Sequence, residues 1–490
     1  MKTFNTFSDL IASTQTKTES TFVCTERANA KYVLQATGYV ALIGDATFAN
    51  GRVAKLQFEN KALVTFFASL QEACSSGYNL EPVGDVTINI PSFYADWATA
   101  FSKIISDYTV TINIETGHQI TTGLLLSDKD YSNFVISSVD AEVTVGASFS
   151  SGSSVISVVN GTSPVLNTLI NVDNQTNVSS YNLTGAATGF INSGAGMKNG
   201  GERGLHVQNA SNCYADGCVF TGFQAAGVHV SRASTLQCAN AVLTGNSQNA
   251  SNTFGAMYAS RGSTIHAPDV NASGSGADGV RVQRLSTIVV PNINLSNTTG
   301  ITFVVNGGFI FSDSGSPTLT NLGGQLIVAA SGGQIKLGVA TITFQAGMTD
   351  EAIDCRDSRV IADGIIMSGQ EGIGVFAQGA NAIVDISGAS ITGGTVSVWA
   401  ADAATVNAEG ATLLNSTTTR VNATSGSRVF LEDATITGAS NADITVSKGS
   451  WVVATGATTS NGTGTPAVSD TNMSAGFNFV NNGNKGFLWV

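Results

Sequence analysis

Charge is scarce in this chain. Lys, Arg, Asp and Glu make up 11% of its 490 residues, against the ~25% usual for globular domains. Proline is scarce too, at 7 residues against 54 glycines. Because proline removes a ladder donor, its rarity suits a chain made largely of interior strands. No apolar run approaches the ~18 residues of a membrane-spanning helix, so no membrane insertion is expected. The opening Met1-Lys-Thr-Phe-Asn-Thr-Phe7 has no long apolar stretch, and no secretory signal is expected. The six cysteines are scattered, which argues against a disulfide framework; Cys213 and Cys238 fall at inward positions, as small hydrophobes do. With a net charge of −12 and no basic run, the chain is not expected to bind nucleic acid. It has no P-loop and no strand–GxGxxG–helix context.

What the chain does have is a repeat of roughly 23 residues. Ser211-Asn-Cys-Tyr-Ala-Asp-Gly217 matches Ser234-Thr-Leu-Gln-Cys-Ala-Asn240, Ser263-Thr-Ile-His-Ala-Pro-Asp269 and Ser286-Thr-Ile-Val-Val-Pro-Asn292. Ser358-Arg-Val-Ile-Ala-Asp-Gly364, Ser427-Arg-Val-Phe-Leu-Glu-Asp433 and Ser450-Trp-Val-Val-Ala-Thr-Gly456 continue it. The corner spacings are 23, 29 and 23, then 24, 22, 23 and 23 through Gly388 and Gly410; the 72 residues from Asn292 to Gly364 fit three coils of 24. A fixed period in this range signals a stacked solenoid. Within each unit the alternation is in twos, with Val360 and Ala362, or Val429 and Leu431, on the inward face, so the coils are built of strands. A second strand precedes each corner: Gly204-Leu-His-Val207, Gly227-Val-His-Val230, Gly279-Val-Arg-Val282 and Gly372-Ile-Gly-Val375. Short strands between Gly, Asn and Ser bends predict an all-β solenoid, a right-handed parallel β-helix.

The ends differ from the repeat. Residues 1–90 lack it. Leu63, Phe66, Phe67, Leu70 and Cys74, and then Trp97, Phe101 and Ile104, fall at helical spacing. They predict two amphipathic helices, the second N-capped by Ser92 and covering the open strand edge of the solenoid. The expected organisation is a small mixed α/β region at 1–60, a helical neck or cap at 61–109, the β-helix at 110–460, and a cap or subunit contact at 461–490.

Coils of this length with Gly-apolar-X-Val strands resemble the pectate-lyase-like β-helices of bacteriophage tailspikes and tail fibres. The resemblance spans roughly 110–460. The N-terminal stretch, with Phe7-Ser-Asp-Leu10, Cys24-Thr-Glu-Arg27, Ala30-Lys-Tyr-Val-Leu34, Gly44-Asp45 and Asn50-Gly-Arg-Val-Ala-Lys-Leu56, resembles a tailspike head-binding segment. The resemblance implies a homotrimer on the virion, made in the host cytoplasm and released by lysis. One end would be held by a phage tail or adaptor protein, and the β-helix would bind, and in many members cleave, host surface polysaccharide or lipopolysaccharide.

Cleavage by hydrolysis needs two carboxylates flanking a glycosidic bond, about 5–9.5 Å apart. The candidate cluster is Asp350, Glu351, Asp354 and Asp357 with Glu371 on the next coil. Aligning Ile353 with Ile373 places Glu351 under Glu371, close enough to raise one pKa. The same residues could equally be a solvated acidic turn neutralised by Arg356 and Arg359. A basic column stands apart from them: Arg232, Arg261 and Arg284 lie two residues before the Ser register on successive coils. They suit carboxylate or phosphate groups, unless Asp216, Asp269 or Asp278 neutralises them. His206 and His229 share an outward slot that continues to Met257 and Arg281. That slot offers no third ligand for a metal, so neither a metal nor a cofactor is expected. Trp399 and Trp451 are candidate sugar platforms or contacts to a neighbouring chain. The leading functional reading is polysaccharide attachment by a tailspike or fibre. A depolymerase using paired carboxylates, or a bacterial β-helix lyase, epimerase or adhesin, are the alternatives.

Overall fold

The computed structural model describes residues 2–13, 21–24, 30–35, 45–57, 85–90, 101, 106–173, 178–249, 254–438, 442–459 and 487–489. The helices expected at 63–74 and 97–104, with the Ser92 cap, lie outside these residues except for Phe101. Phe101 is buried, with its ring 5.4 Å from Phe134 and 6.0 Å from Tyr131.

The chain is a parallel β-solenoid. One face is a ladder running from Val86–Ile90 and Val110–Ile114 through each coil to Trp451–Val453 and Phe487–Trp489. A second is a 14-stranded sheet from Leu124–Ser127 to Ala442–Val446. The third is shared by a 5-stranded sheet in the earlier coils and a 7-stranded sheet in the later ones. The three coils expected between Asn292 and Gly364 are present, in the register Ile288, Ile310, Ile335, Val360. Inward residues such as Val360, Ala362, Val429 and Leu431 are buried in one continuous core. Ladder pairing opens at Val86–Ile90, ahead of residue 110, and the pentapeptide Val-Thr-Ile-Asn-Ile recurs at 86–90 and 110–114 in register.

The repeated Ser has a structural cause. Ser211, Ser234, Ser263 and Ser286 are buried. Each hydroxyl of the next coil accepts the backbone N–H of the coil before: Ser211 N to Ser234 Oγ at 3.1 Å, Ser234 N to Ser263 Oγ at 3.2 Å, and Ser263 N to Ser286 Oγ at 3.1 Å. A bend takes these N–H groups out of the ladder, and a buried N–H must find a partner.

At the N-terminus, Lys2–Phe4, Thr21–Cys24, Ala30–Leu34, Val53–Gln57 and Ala46–Thr47 form a separate five-stranded sheet in that order. A short helix, Phe7–Ala12, starts where Thr6 Oγ1 accepts the Asp9 N–H at 3.0 Å. Leu10, Phe22, Tyr32 and Phe48 give this unit its own core.

Candidate binding cleft

The outward centre of the 14-stranded sheet is a single column of stacked residues. It reads Asn182, His206, His229, Tyr258, Arg281, Val304, Val328, Asp354, Phe376, Trp399 and Asn422. The expectation that Met257 follows His229 is corrected here: Met257 pairs with Val228 and is buried, and Tyr258 takes the outward place. This coil is 29 residues long rather than 23, and a one-residue slip in counting moves every side chain to the opposite face.

Around His206, His229 and Tyr258 lies a cleft of about 310 Å³, lined also by Arg203, Arg232, Phe254, Arg261 and Arg284. All five candidate binding residues therefore meet in one place. The imidazoles stack with centroids 4.5 Å apart at 6°, and Tyr258 stacks on His229 at 4.5 Å. His206 Nε2 lies 3.2 Å from Ser231 Oγ, and His229 Nε2 lies 3.4 Å from Ser260 Oγ. The rings are only 8% and 7% exposed. Burial first, then the Arg203 and Arg232 charges, lowers the His206 pKa to about 3. Burial, then His206, Arg203 and Arg261, lowers that of His229 to about 2. Both rings are thus neutral at ordinary pH, and because His206, His229 and Tyr258 stack face to face, the cleft meets their edges. Among the described residues no group of three His, Cys, Asp or Glu side chains comes together here.

The arginines stand along the wall, at the corner that follows the sheet. Among the described coils this corner is left-handed and mostly holds residues that tolerate it, such as Asn160, Asn209, Asp357, Asp402 and Ser425, with Lys448 an exception at φ of 50°. Arg232, Arg261 and Arg284 occupy it at φ of 57°, 58° and 53°, which is unfavourable for a long side chain. All three are exposed. Arg232 Nη1 donates to Asn209 Oδ1 at 3.0 Å. Among the described residues no carboxylate pairs with any of them. The suspected neutralisers are engaged elsewhere. Asp216 accepts from Ala239 N at 2.7 Å, Asp269 from Asn292 Nδ2 at 2.9 Å, and Asp278 from Arg281 Nε at 2.8 Å. Arg203, which the sequence reading missed, is held by Glu202 at 2.7 Å with its guanidinium 4.9 Å from the Phe254 centroid. Neither Arg203 nor Phe254 sits at the repeated Ser offset, so the repeat alone did not mark them.

The acidic candidates do not assemble as expected. Ile353 pairs with Val375, not Ile373, so Glu371 is displaced by two residues from the place above Glu351. Glu371 instead accepts the Gly347 N–H at 2.8 Å, and Glu351 accepts from Gln325 Nε2 at 3.4 Å. Asp354 is buried and accepts from Arg356 Nε at 3.0 Å, and Asp357 is an exposed corner residue. A different carboxyl is perturbed. Partial desolvation, then the Asp385 carboxylate on the next coil, raises the pKa of Asp363.

No family model matches the chain, and no curated protein does. A solved structure it is similar to is a tailspike protein, gp49 from Acinetobacter baumannii bacteriophage Fri1, described as a capsular polysaccharide depolymerase. The identity is 10% over 84% of this chain and 71% of that one, with a TM-score of 0.18. At that score the two chains do not superpose, and the fold assignment rests on the strand register described above.

Proposed function

We propose that the chain is a virion tailspike or tail fibre that attaches a bacteriophage to acidic polysaccharide on its host, capsule or lipopolysaccharide, through the cleft walled by Arg232, Arg261 and Arg284. The observation that carries this reading is the cleft's one-sided charge. It has four lining guanidiniums and no lining carboxylate, in a chain of net charge −12. Guanidinium forks match carboxylate and phosphate, while the stacked imidazole and phenol rings are neutral and leave the charge of the cleft to the arginines. The sequence resemblance supplies the setting: a homotrimer held to the phage tail or an adaptor by residues 1–60, with the 461–490 segment as cap or subunit contact.

The test is binding to purified bacterial capsules before and after chemical reduction of their carboxylates to alcohols. Intact acidic capsule should be retained and released by salt, as expected of exposed charges, and the reduced polymer should not. Arg232→Asn, Arg261→Asn and Arg284→Asn together should weaken retention at least tenfold, and Asn suits the left-handed corner. Equal retention of intact and reduced capsule, or full binding by the triple variant, refutes the reading. Cleavage is the second reading: new reducing ends released from the capsule would establish a hydrolase, and an unsaturated ultraviolet-absorbing product a lyase.

A further inference from the structure

We infer that Phe376 and Trp399 form a second saccharide position, which takes the C–H face of an uncharged pyranose ring on the same polymer chain that fills the arginine cleft. The inference rests on the polysaccharide reading above and adds a place and a sugar class to it.

Phe376 and Trp399 are successive members of the outward column that carries His206, His229 and Tyr258. Five rungs separate Tyr258 from Phe376, or about 24 Å at ~4.8 Å per rung. The two rings meet edge to face, at 5.7 Å and 85°, which makes an open corner on a solvent-facing surface. Both are half-buried. Trp399 Nε1 is buried with no acceptor, so the part of the indole that solvent reaches is carbon. A buried, unpaired donor is costly and calls for a reason. Here the reason is a ring held by packing, with its apolar surface outward.

Polar groups suited to hydroxyls border the corner. Asn422 lies on the next rung of the column and is half-exposed. Arg356 lies 5.8 Å from the Phe376 centroid while its Nε donates to Asp354 Oδ1 at 3.0 Å. With its charge matched by Asp354, Arg356 offers hydroxyl contacts rather than an unpaired cation. That separates this corner from the cleft wall, where Arg232, Arg261 and Arg284 have no carboxylate partner among the described residues. One face therefore carries an anion position and an uncharged-sugar position in line along the solenoid axis.

The test uses saturation-transfer NMR on the full chain with three probes: sodium glucuronate, methyl β-glucopyranoside and methyl β-galactopyranoside. The ring C–H protons of at least one methyl glycoside should receive saturation. That signal should fall at least threefold in Trp399→Ala, be largely kept in Trp399→Phe, and be unchanged in Arg232→Asn/Arg261→Asn. Glucuronate should show the opposite dependence. If glucuronate binds and neither glycoside does, or if the glycoside signal survives in Trp399→Ala, this inference fails while the cleft reading stands. If no probe binds, both fail. A Trp399→Ala variant that changes sedimentation but not saccharide signal would mean that a second copy of the chain covers the corner, and would overturn the inference.

Discussion

Acid should loosen the coils that carry the cleft, and the two stacked histidines set the size of the effect. Their folded pKa values, about 3 for His206 and about 2 for His229, lie below the ordinary 6.5. The unfolded segment therefore takes up protons first as pH falls. Stability is complete above about pH 6.5 and is lost progressively below it, with the loss levelling off only near the folded values. At pH 5, about 1.5 pH units below 6.5, each ring costs about 2 kcal/mol and the pair about 4 kcal/mol, at ~1.36 kcal/mol per pH unit. Both rings are nearly enclosed, so solvent screening does not discount this much. Long repeat arrays need not unfold as one unit, so a local probe is the right one. Hydrogen exchange of the Arg203–Gln208 and Ala226–Ser231 strands, corrected for intrinsic pH dependence, should show opening about a thousandfold more frequent at pH 5 than at pH 7. The His206→Asn/His229→Asn variant should lack this acid-linked part, and strands such as Thr405–Asn407 should show none in either protein. An equal pH response in the variant and the parent would refute the reasoning.

Asp443→Ala should destabilise the last coils by about 3–5 kcal/mol, because it strands Arg420 as an unpaired buried charge. Arg420 is 0% exposed and its Nη1 donates to Asp443 Oδ1 at 2.6 Å. Replacing the pair together by Met and Leu should recover most of that loss in urea melts, and failure to recover would mean the pair holds more than its own charges. Glu351→Gln and Glu371→Gln should leave binding and any sugar release unchanged, since their side chains serve Gln325 and Gly347; loss of release in either would restore a role for that region. Arg261→Asn should raise stability by about 1 kcal/mol through relief of left-handed strain while weakening capsule retention, as read by thermal melts beside the binding assay.

The solenoid was legible because two independent periods agree. Alternation in twos assigned Val360 and Ala362 to the core, and the corner-to-corner distance gave the number of coils between Asn292 and Gly364, though their lengths are 22, 25 and 25 rather than 24 each. The same offset aligned Arg232, Arg261 and Arg284 before any coordinates, since residues at one offset stack in one column. Errors arose where a coil departs from the mean length. His229 to Tyr258 spans 29 residues, and a register short by one residue put Met257 in that place. Matching Ile353 with Ile373 by residue type gave a 20-residue coil where the true pair, Ile353 and Val375, spans 22. The first rung at Val86–Ile90 was hidden differently: its partner repeats it word for word, but no Ser corner introduces it. Arg203, Phe254 and Phe376 gave no signal, because proximity across coils of unequal length is not a sequence pattern.

A solenoid rung is stabilised chiefly by its two neighbours, so the outward side chains of a column can change without altering the coil. That freedom makes departures from the cheapest residue informative. The corner after the 14-stranded sheet is served well by Asn, Asp, Ser or Gly, and most coils use one of them. Three consecutive coils use Arg instead, beside the one stretch of the column where imidazole stacks on imidazole and phenol. Packing gives no reason for this choice, since the arginine side chains are exposed, and charge balance gives none, since no described carboxylate pairs with them. Backbone strain of about 1–3 kcal/mol per residue and two desolvated imidazoles converge on the same cleft. A bound anion would give the three strained guanidiniums a partner and, by screening the cationic field that after burial holds the histidines neutral, would lessen the acid sensitivity of these coils.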